Sequence, residues 1–192
     1  MKLPLTLLQP KLRHVMAALC AAGALHLCVT LAAPELSDSP AYRRLAARLE
    51  PHKMQVLPPV TPANQELAFM GPEQRYAACL FLTRNGSVAM KATLPGPGWV
   101  VSIHAPSGEN FYSAVAQPGR PLEVSVKLVP ADDRFAGLGA QVRESTLGEN
   151  ATLAVPADAG IIIVRAPDQG SAYRARNLAV LRQASCAYTA DR

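Results

Sequence analysis

Hydrophobic and polar positions divide this chain into three regimes. Val15–Ala33 is apolar almost throughout, with His26 the one break. The next stretch, to about residue 63, mixes a short amphipathic segment with prolines. From residue 64 onward apolar residues recur at period two, the spacing of half-buried strands. The 19 residues of the first run, at about 1.5 Å per residue in a helix, come to about 28 Å. That is close to the roughly 30 Å thickness of a bilayer's hydrocarbon core. In the second regime Ser39-Pro40 is an N-cap and first-turn pair for a short helix over Ser37–Glu50. Tyr42, Leu45, Ala46 and Leu49 line one side of it, and Arg43, Arg44 and Arg48 lie elsewhere. Pro51, Pro58, Pro59 and Pro62 then mark a stiff, extended linker.

The β region is organised around Pro97–His104. Trp99, Val101 and Ile103 share one face of a strand, with Val100, Ser102 and His104 on the other. Ala105-Pro106-Ser107-Gly108 is turn chemistry, after which Phe111, Tyr112 and Val115 resume as a strand. Trp99 is the only tryptophan, and burying it removes roughly 150–250 Å² from water, so the core is expected around it. Tyr76–Thr83 and Ser87–Leu94 flank Asn85-Gly86, a strong hairpin signal. In Leu122–Val129 the apolar Leu122, Val124, Val126 and Leu128 alternate with Glu123, Ser125 and Lys127, as in an antiparallel sheet with one wet face. Asp132–Ala140 reads as a loop or helical turn, Gln141–Leu147 and Thr152–Val155 as weaker strands, and Ile161–Val164 as a buried one. Ser171 is placed to cap a last helix over Ala172–Ala184, with Tyr173, Leu178 and Leu181 inward and Arg174, Arg176 and Arg182 outward. Short strands separated by Pro/Gly turns predict a mainly β domain, an antiparallel β-sandwich or jelly-roll-like fold with a C-terminal helix.

Charge changes the picture in one place. The chain of 192 residues has a formal net charge of +5, yet Lys2, Lys11 and Arg13 supply three of the positive charges ahead of the apolar run. The remainder carries no dense basic cluster, which nucleic-acid binding would need. A cleaved signal peptide would have a shorter apolar core and a better cleavage site than Thr30-Leu31-Ala32, so residues 15–33 are expected to stay as an anchor. Arg43, Arg44 and Arg48 beyond the run balance the basic residues before it, so the charge rule specifies orientation only weakly. His26, Cys20 and Cys28 are expected to be passive occupants of the helix.

Cys79 opens the β region and Cys186 follows the last helix. Outside the cytoplasm the two are expected to form a disulfide; the alternative is a pair of buried free thiols. No metal set is apparent, since His104 is the only histidine of the β region. His104 is the obvious base, but residues i and i+2 of a strand are about 6.6 Å apart, which argues against a direct bond to Ser102. Gly137-Leu138-Gly139 does not open a βαβ unit, and Asp132-Asp133 lies in a turn. Asn85-Gly86-Ser87 and Asn150-Ala151-Thr152 match the glycosylation pattern and are equally good turns. No catalytic constellation emerges, and no cofactor is implied.

Several segments together resemble a known family. A basic N-terminus, one span and a Pro-rich linker precede Phe69-Met70-Gly71-Pro72 and Cys79. Trp99-Val100-Val101-Ser102-Ile103, Asn110-Phe111-Tyr112, Ile161–Ala166 and Arg182-Gln183-Ala184-Ser185-Cys186 follow. The pattern is similar to the single-span bacterial envelope proteins catalogued as domain of unknown function 1254, over most of residues 65–186. The resemblance implies a β-rich extracytoplasmic domain. It also implies a companion from the sister family, domain of unknown function 1214, to which such domains are often fused. The central strand departs from the family's aromatic-rich pattern by carrying Val100-Val101 after Trp99. No catalytic residues are established for the family, so none carries over.

The expected organisation is therefore a basic cytoplasmic lead (1–14), a transmembrane anchor (15–33), a juxtamembrane helix and linker (34–63), and an extracytoplasmic β-domain (64–192). The expected location is the cytoplasmic (inner) membrane, crossed once, with the C-terminal domain in the periplasm. The expected function is an envelope interaction or accessory protein working with a companion. A docking surface is expected at Val100, His104, Phe111 and Tyr112, at least two of whose apolar or aromatic members should be well exposed. The alternative is an enzyme or small-molecule binder with a pocket near Trp99, His104 and Tyr112.

Overall fold

The computed structural model describes residues 9–36, 38–68, 70–130 and 151–189. The chain divides into two units, Met1–Asp38 and Ser39–Arg192. Among the described residues the first holds helix α1, Gln9–Leu36. Within it Lys11–Ala32, 22 residues, is long and apolar enough to cross a membrane, and none of it is buried in protein. Leu12, Leu19, Leu25, Leu27 and Leu31 are all exposed. Its one hydroxyl is satisfied internally: Thr30 Oγ1 donates to the His26 and Leu27 carbonyls at 2.8 and 3.1 Å.

The second unit begins with α2 (Pro40–Ala46) and the two-residue strand β1 (Gln55–Val56). There follow β2 (Gln74–Leu82), β3 (Ser87–Leu94), β4 (Val100–His104), β5 (Asn110–Val115) and β6 (Leu122–Pro130). The chain closes with β7 (Ala151–Val155), β8 (Ala159–Pro167), α3 (Ser171–Gln183) and β9 (Ser185–Thr189). Among the described residues one sheet has five strands in the order β1-β2-β8-β4-β5 and the other four in the order β7-β6-β3-β9. The main core lies between them and is built by alternation. Ala77, Cys79, Phe81, Val101, Ile103, Ile162 and Val164 point in from the first sheet, and Val88, Met90, Val124, Val126, Leu128 and Leu153 from the second. The expected β-sandwich with a C-terminal helix is therefore the observed fold. Pairings in the first sheet are antiparallel, but β6 and β7 run parallel, so the second sheet is mixed.

Three expectations are corrected. Asn85-Gly86 does not close a hairpin, because β2 pairs with β1 and β8, whereas β3 pairs with β6 and β9. The turn carries the chain from one sheet to the other. Its glycine is required by a positive φ of 144° and by Tyr188, whose Oη would lie 2.6 Å from a Cβ at this position. The Tyr188 hydroxyl donates to the Asn85 carbonyl and pins the crossing.

The juxtamembrane helix and linker are not separate from the β-domain. Leu45 and Leu49 bury themselves against Ala78, Leu80 and Ile161 on the outer face of the first sheet, and Gln55–Val56 pairs with β2. The compact unit starts at Ser39 rather than near residue 64. Ser39 acts as the expected cap: its Oγ accepts from the Tyr42 N–H at 3.1 Å.

The last helix is capped differently. Gly170 holds the N-cap position without a side-chain bond, and Ser171 is the first helical residue. Tyr173 is exposed rather than inward, while Asn177 is buried and donates to the Pro167 carbonyl at 2.9 Å. The segments expected at Asp132–Ala140 and Gln141–Leu147, together with Asp132-Asp133, Gly137–Gly139 and Asn150, lie outside the described residues, as does Phe69.

Candidate functional site

The β4–β5 hairpin positions most of the residues singled out in the sequence. Its turn is the predicted one: Gly108 N–H donates to the Ala105 carbonyl at 2.9 Å, and Ala105 N–H to the Glu109 carbonyl at 2.9 Å. Pro106 contributes its carbonyl to the Ser39 N–H at 2.7 Å, fastening the start of α2 to the hairpin. The pairing slips by one residue at Ile103/His104, since Ile103 faces Tyr112 and His104 faces Asn110. Phe111 is the extra residue of this bulge.

Alternation along β4 separates the expected pocket residues. Trp99, Val101 and Ile103 are buried on the core side, whereas Val100, Ser102 and His104 lie half-buried on the outer side. Tyr112 pairs with Ile103 and packs, like Phe111, against the core. Trp99, His104 and Tyr112 therefore do not converge on one pocket. Burial pushes the Tyr112 hydroxyl above its ordinary pKa. Nor is the expected docking surface exposed, because Val100, His104, Phe111 and Tyr112 are all half-buried. Among the described residues of this unit the large apolar side chains exposed are instead Leu82, Val115, Tyr173 and Tyr188, with Val115 of β5 the most open at 57%.

Ser102 and His104, expected to stand too far apart for a direct bond, are in contact. His104 Nε2 lies 3.0 Å from Ser102 Oγ. The spacing of about 6.6 Å separates Cα atoms, and an imidazole is long enough to lean along the strand and close the gap. On β5 the residue facing Ser102 is Ser113, and on β8 it is Ile163. Two residues further along β8 stands Arg165, facing Val100 on one side and Tyr76 on the other. Arg165 is half-buried, and its Nε is buried without a hydrogen-bond partner. The sequence does carry a signal for it, a charged residue ending the Ile161–Val164 run.

No family model and no curated protein matches this chain. Among solved structures it is similar to the crystal structure of the VPA0106 protein from Vibrio parahaemolyticus, with a TM-score of 0.50 at 7% identity. The similarity covers 77% of this chain and 34% of that one, so the chain spans about a third of its length. At this identity the likeness shows the fold alone.

The second concentration of charge ties elements together. Asp168 accepts from Arg75 Nη2 and Nε at 2.9 and 3.2 Å and from the Gly170 N–H at 3.2 Å, with Arg174 Nη2 at 3.6 Å. Burial pushes the Asp168 carboxyl up, but these hydrogen bonds and the two guanidinium charges outweigh it and hold the carboxyl below its ordinary value. The cluster joins β2, the end of β8 and the start of α3, which is a structural task. Cys79 and Cys186 are joined as a disulfide with Cα atoms 6.4 Å apart, linking β2 to β9 across the two sheets. Among the described residues no group of three or more His, Cys, Asp or Glu side chains is arranged to hold a metal ion.

Proposed function

We propose that this protein is a membrane-anchored module of the cell envelope that works with a companion β-domain protein. In this reading α1 crosses the cytoplasmic membrane and the sandwich lies in the periplasm. The observation that carries it is a span-length apolar helix on the same chain as a disulfide-closed domain. A helix apolar on all sides needs an apolar solvent, and disulfides persist in oxidising compartments and are rare in the cytosol. The two features concern different parts of the chain, so their agreement is informative. Lys2, Lys11 and Arg13 favour a cytoplasmic N-terminus only weakly, because Arg43, Arg44 and Arg48 beyond the span balance them. The companion is supported by the family resemblance.

The test is fractionation of cells expressing the full chain. Alkaline carbonate should leave the protein in the membrane pellet, and protease added to spheroplasts should remove the β-domain. Release by carbonate, a mature N-terminus at Ala33 or Pro34, or protection from protease would each overturn the assignment. Purification from detergent-solubilised membranes should recover a protein of the sister family in constant ratio; recovery of the chain alone would remove the companion.

A further inference from the structure

We propose that Ser102 and His104 form a nucleophile–base pair that reacts with carboxylic esters bearing an anionic group. This goes beyond the envelope role and does not depend on it. The 3.0 Å separation of His104 Nε2 and Ser102 Oγ is the range in which an imidazole takes a hydroxyl proton. Both side chains are half-buried, open enough to meet a substrate. The bulge at Phe111 faces this point of β4, and bulges commonly re-aim side chains beside reactive sites.

The neighbours define the ester. Ser113 stands across from Ser102 and is exposed. Cross-strand pairs of this kind hold their Cβ atoms about 4.5–5.5 Å apart, so a carbonyl over Ser102 meets a second hydroxyl that donates to its developing negative charge. Ile163, on the other side of Ser102, offers apolar contact to the acyl chain. Arg165 lies two residues beyond Ile163, about 6.6 Å along the strand, on the same face. Its buried Nε lacks a partner, and a guanidinium in that condition recognises a carboxylate or phosphate oxygen.

In the first step Ser102 Oγ bonds to the carbonyl carbon while its proton passes to His104 Nε2. The ester C–O bond breaks, and the same proton goes to the departing alkoxide. Water then attacks the acyl-serine, His104 takes a proton from it and returns the proton to Ser102 Oγ, and the carboxylic acid leaves. No carboxylate among the described residues bonds to the His104 ring, so the pair lacks the orienting third member of a triad and turnover is expected to be slow.

The full chain in detergent micelles, treated with a fluorophosphonate probe, should be modified on Ser102. Ser102→Ala should abolish that modification, and His104→Gln should slow it at least tenfold. Mono-p-nitrophenyl adipate should show a lower KM than p-nitrophenyl acetate, and Arg165→Gln should erase the difference. An unmodified Ser102 overturns the proposal. So does an unchanged rate in a His104→Gln chain that melts like the wild type, with His104→Asn standing in if that variant does not fold. Equal KM values for the two esters overturn the anionic specificity.

Discussion

Gly160 leaves room for the carbonyl oxygen of His104, and a Cβ at Gly160 would overlap both that oxygen and the Phe81 ring. Phe81 is the cross-strand partner of Gly160 on β2, so its ring occupies the space a side chain would need. The obstruction includes backbone, which cannot swing aside as a flexible side chain does. Overpacking of this kind costs roughly 1–3 kcal/mol and sometimes more. Gly160→Ala is therefore expected to destabilise the domain at the upper end of that range in urea unfolding. A midpoint unchanged from wild type would show that β2, β8 and β4 are not packed this closely.

Asp168 makes the stability of the second unit depend on acid. Its carboxyl is held below the ordinary value in the folded state, so the unfolded chain binds the proton more readily. The stabilisation is fully present above the unfolded value of about 3.9 and is lost as pH falls through the native value. Asp168→Asn should lower Tm at pH 7. The gap to wild type should hold down to about pH 5 and close at lower pH. A gap that stays constant across the acid range would mean that the charge of Asp168 contributes nothing.

Local patterns were legible in the sequence, and partnerships between distant segments were not. Leu122–Val129 and Trp99–His104 declare their buried faces by alternation alone, and both faces are the observed ones. Asn85-Gly86 misleads because an Asn-Gly turn specifies a reversal without saying whether the two strands will pair. That is decided by β8 and β6, which lie tens of residues away. Leu45 and Leu49 look like one side of a solvated helix until the outer face of the first sheet is there to receive them. The Ser102–His104 contact is not legible in strand spacing for a different reason: Cα separation sets the expectation, and side-chain length decides the contact.

The Cys79–Cys186 disulfide closes a sequence separation of 107 residues. In the chain-entropy model a loop of that size is worth roughly 4–5 kcal/mol, and measured losses run about 2–5 kcal/mol. Cys186→Ser should reduce unfolding free energy by an amount in that range. Cys79→Ser should match it, because both variants open the same loop. The intact protein should gain two free thiols on reduction beyond those of Cys20 and Cys28, measured by mass after alkylation. Four alkylated cysteines without reduction would rule the bond out.

The outer face of the first sheet yields the last prediction. Ala78, Leu80 and Ile161 are buried there against Leu45 and Leu49 of the segment after Ser39, with Tyr42, Leu57 and Leu67 packed around them. If that segment were a linker free of the sandwich, Leu45→Ala would leave the melting temperature of the sandwich where it was. Because Leu45 is a buried contact at 4% exposure, the substitution should cost roughly 2 kcal/mol or more. For a domain of this size that corresponds to a fall in Tm of several degrees, at about 2–4 °C per kcal/mol. A chain shortened to begin at residue 64 should lose α2 and β1 together and expose Leu80 and Ile161. It should melt lower still and bind a hydrophobic dye, whereas one beginning at Ser39 should melt like the intact second unit. Equal melting of the two shortened chains would return the boundary to the end of the proline-rich stretch.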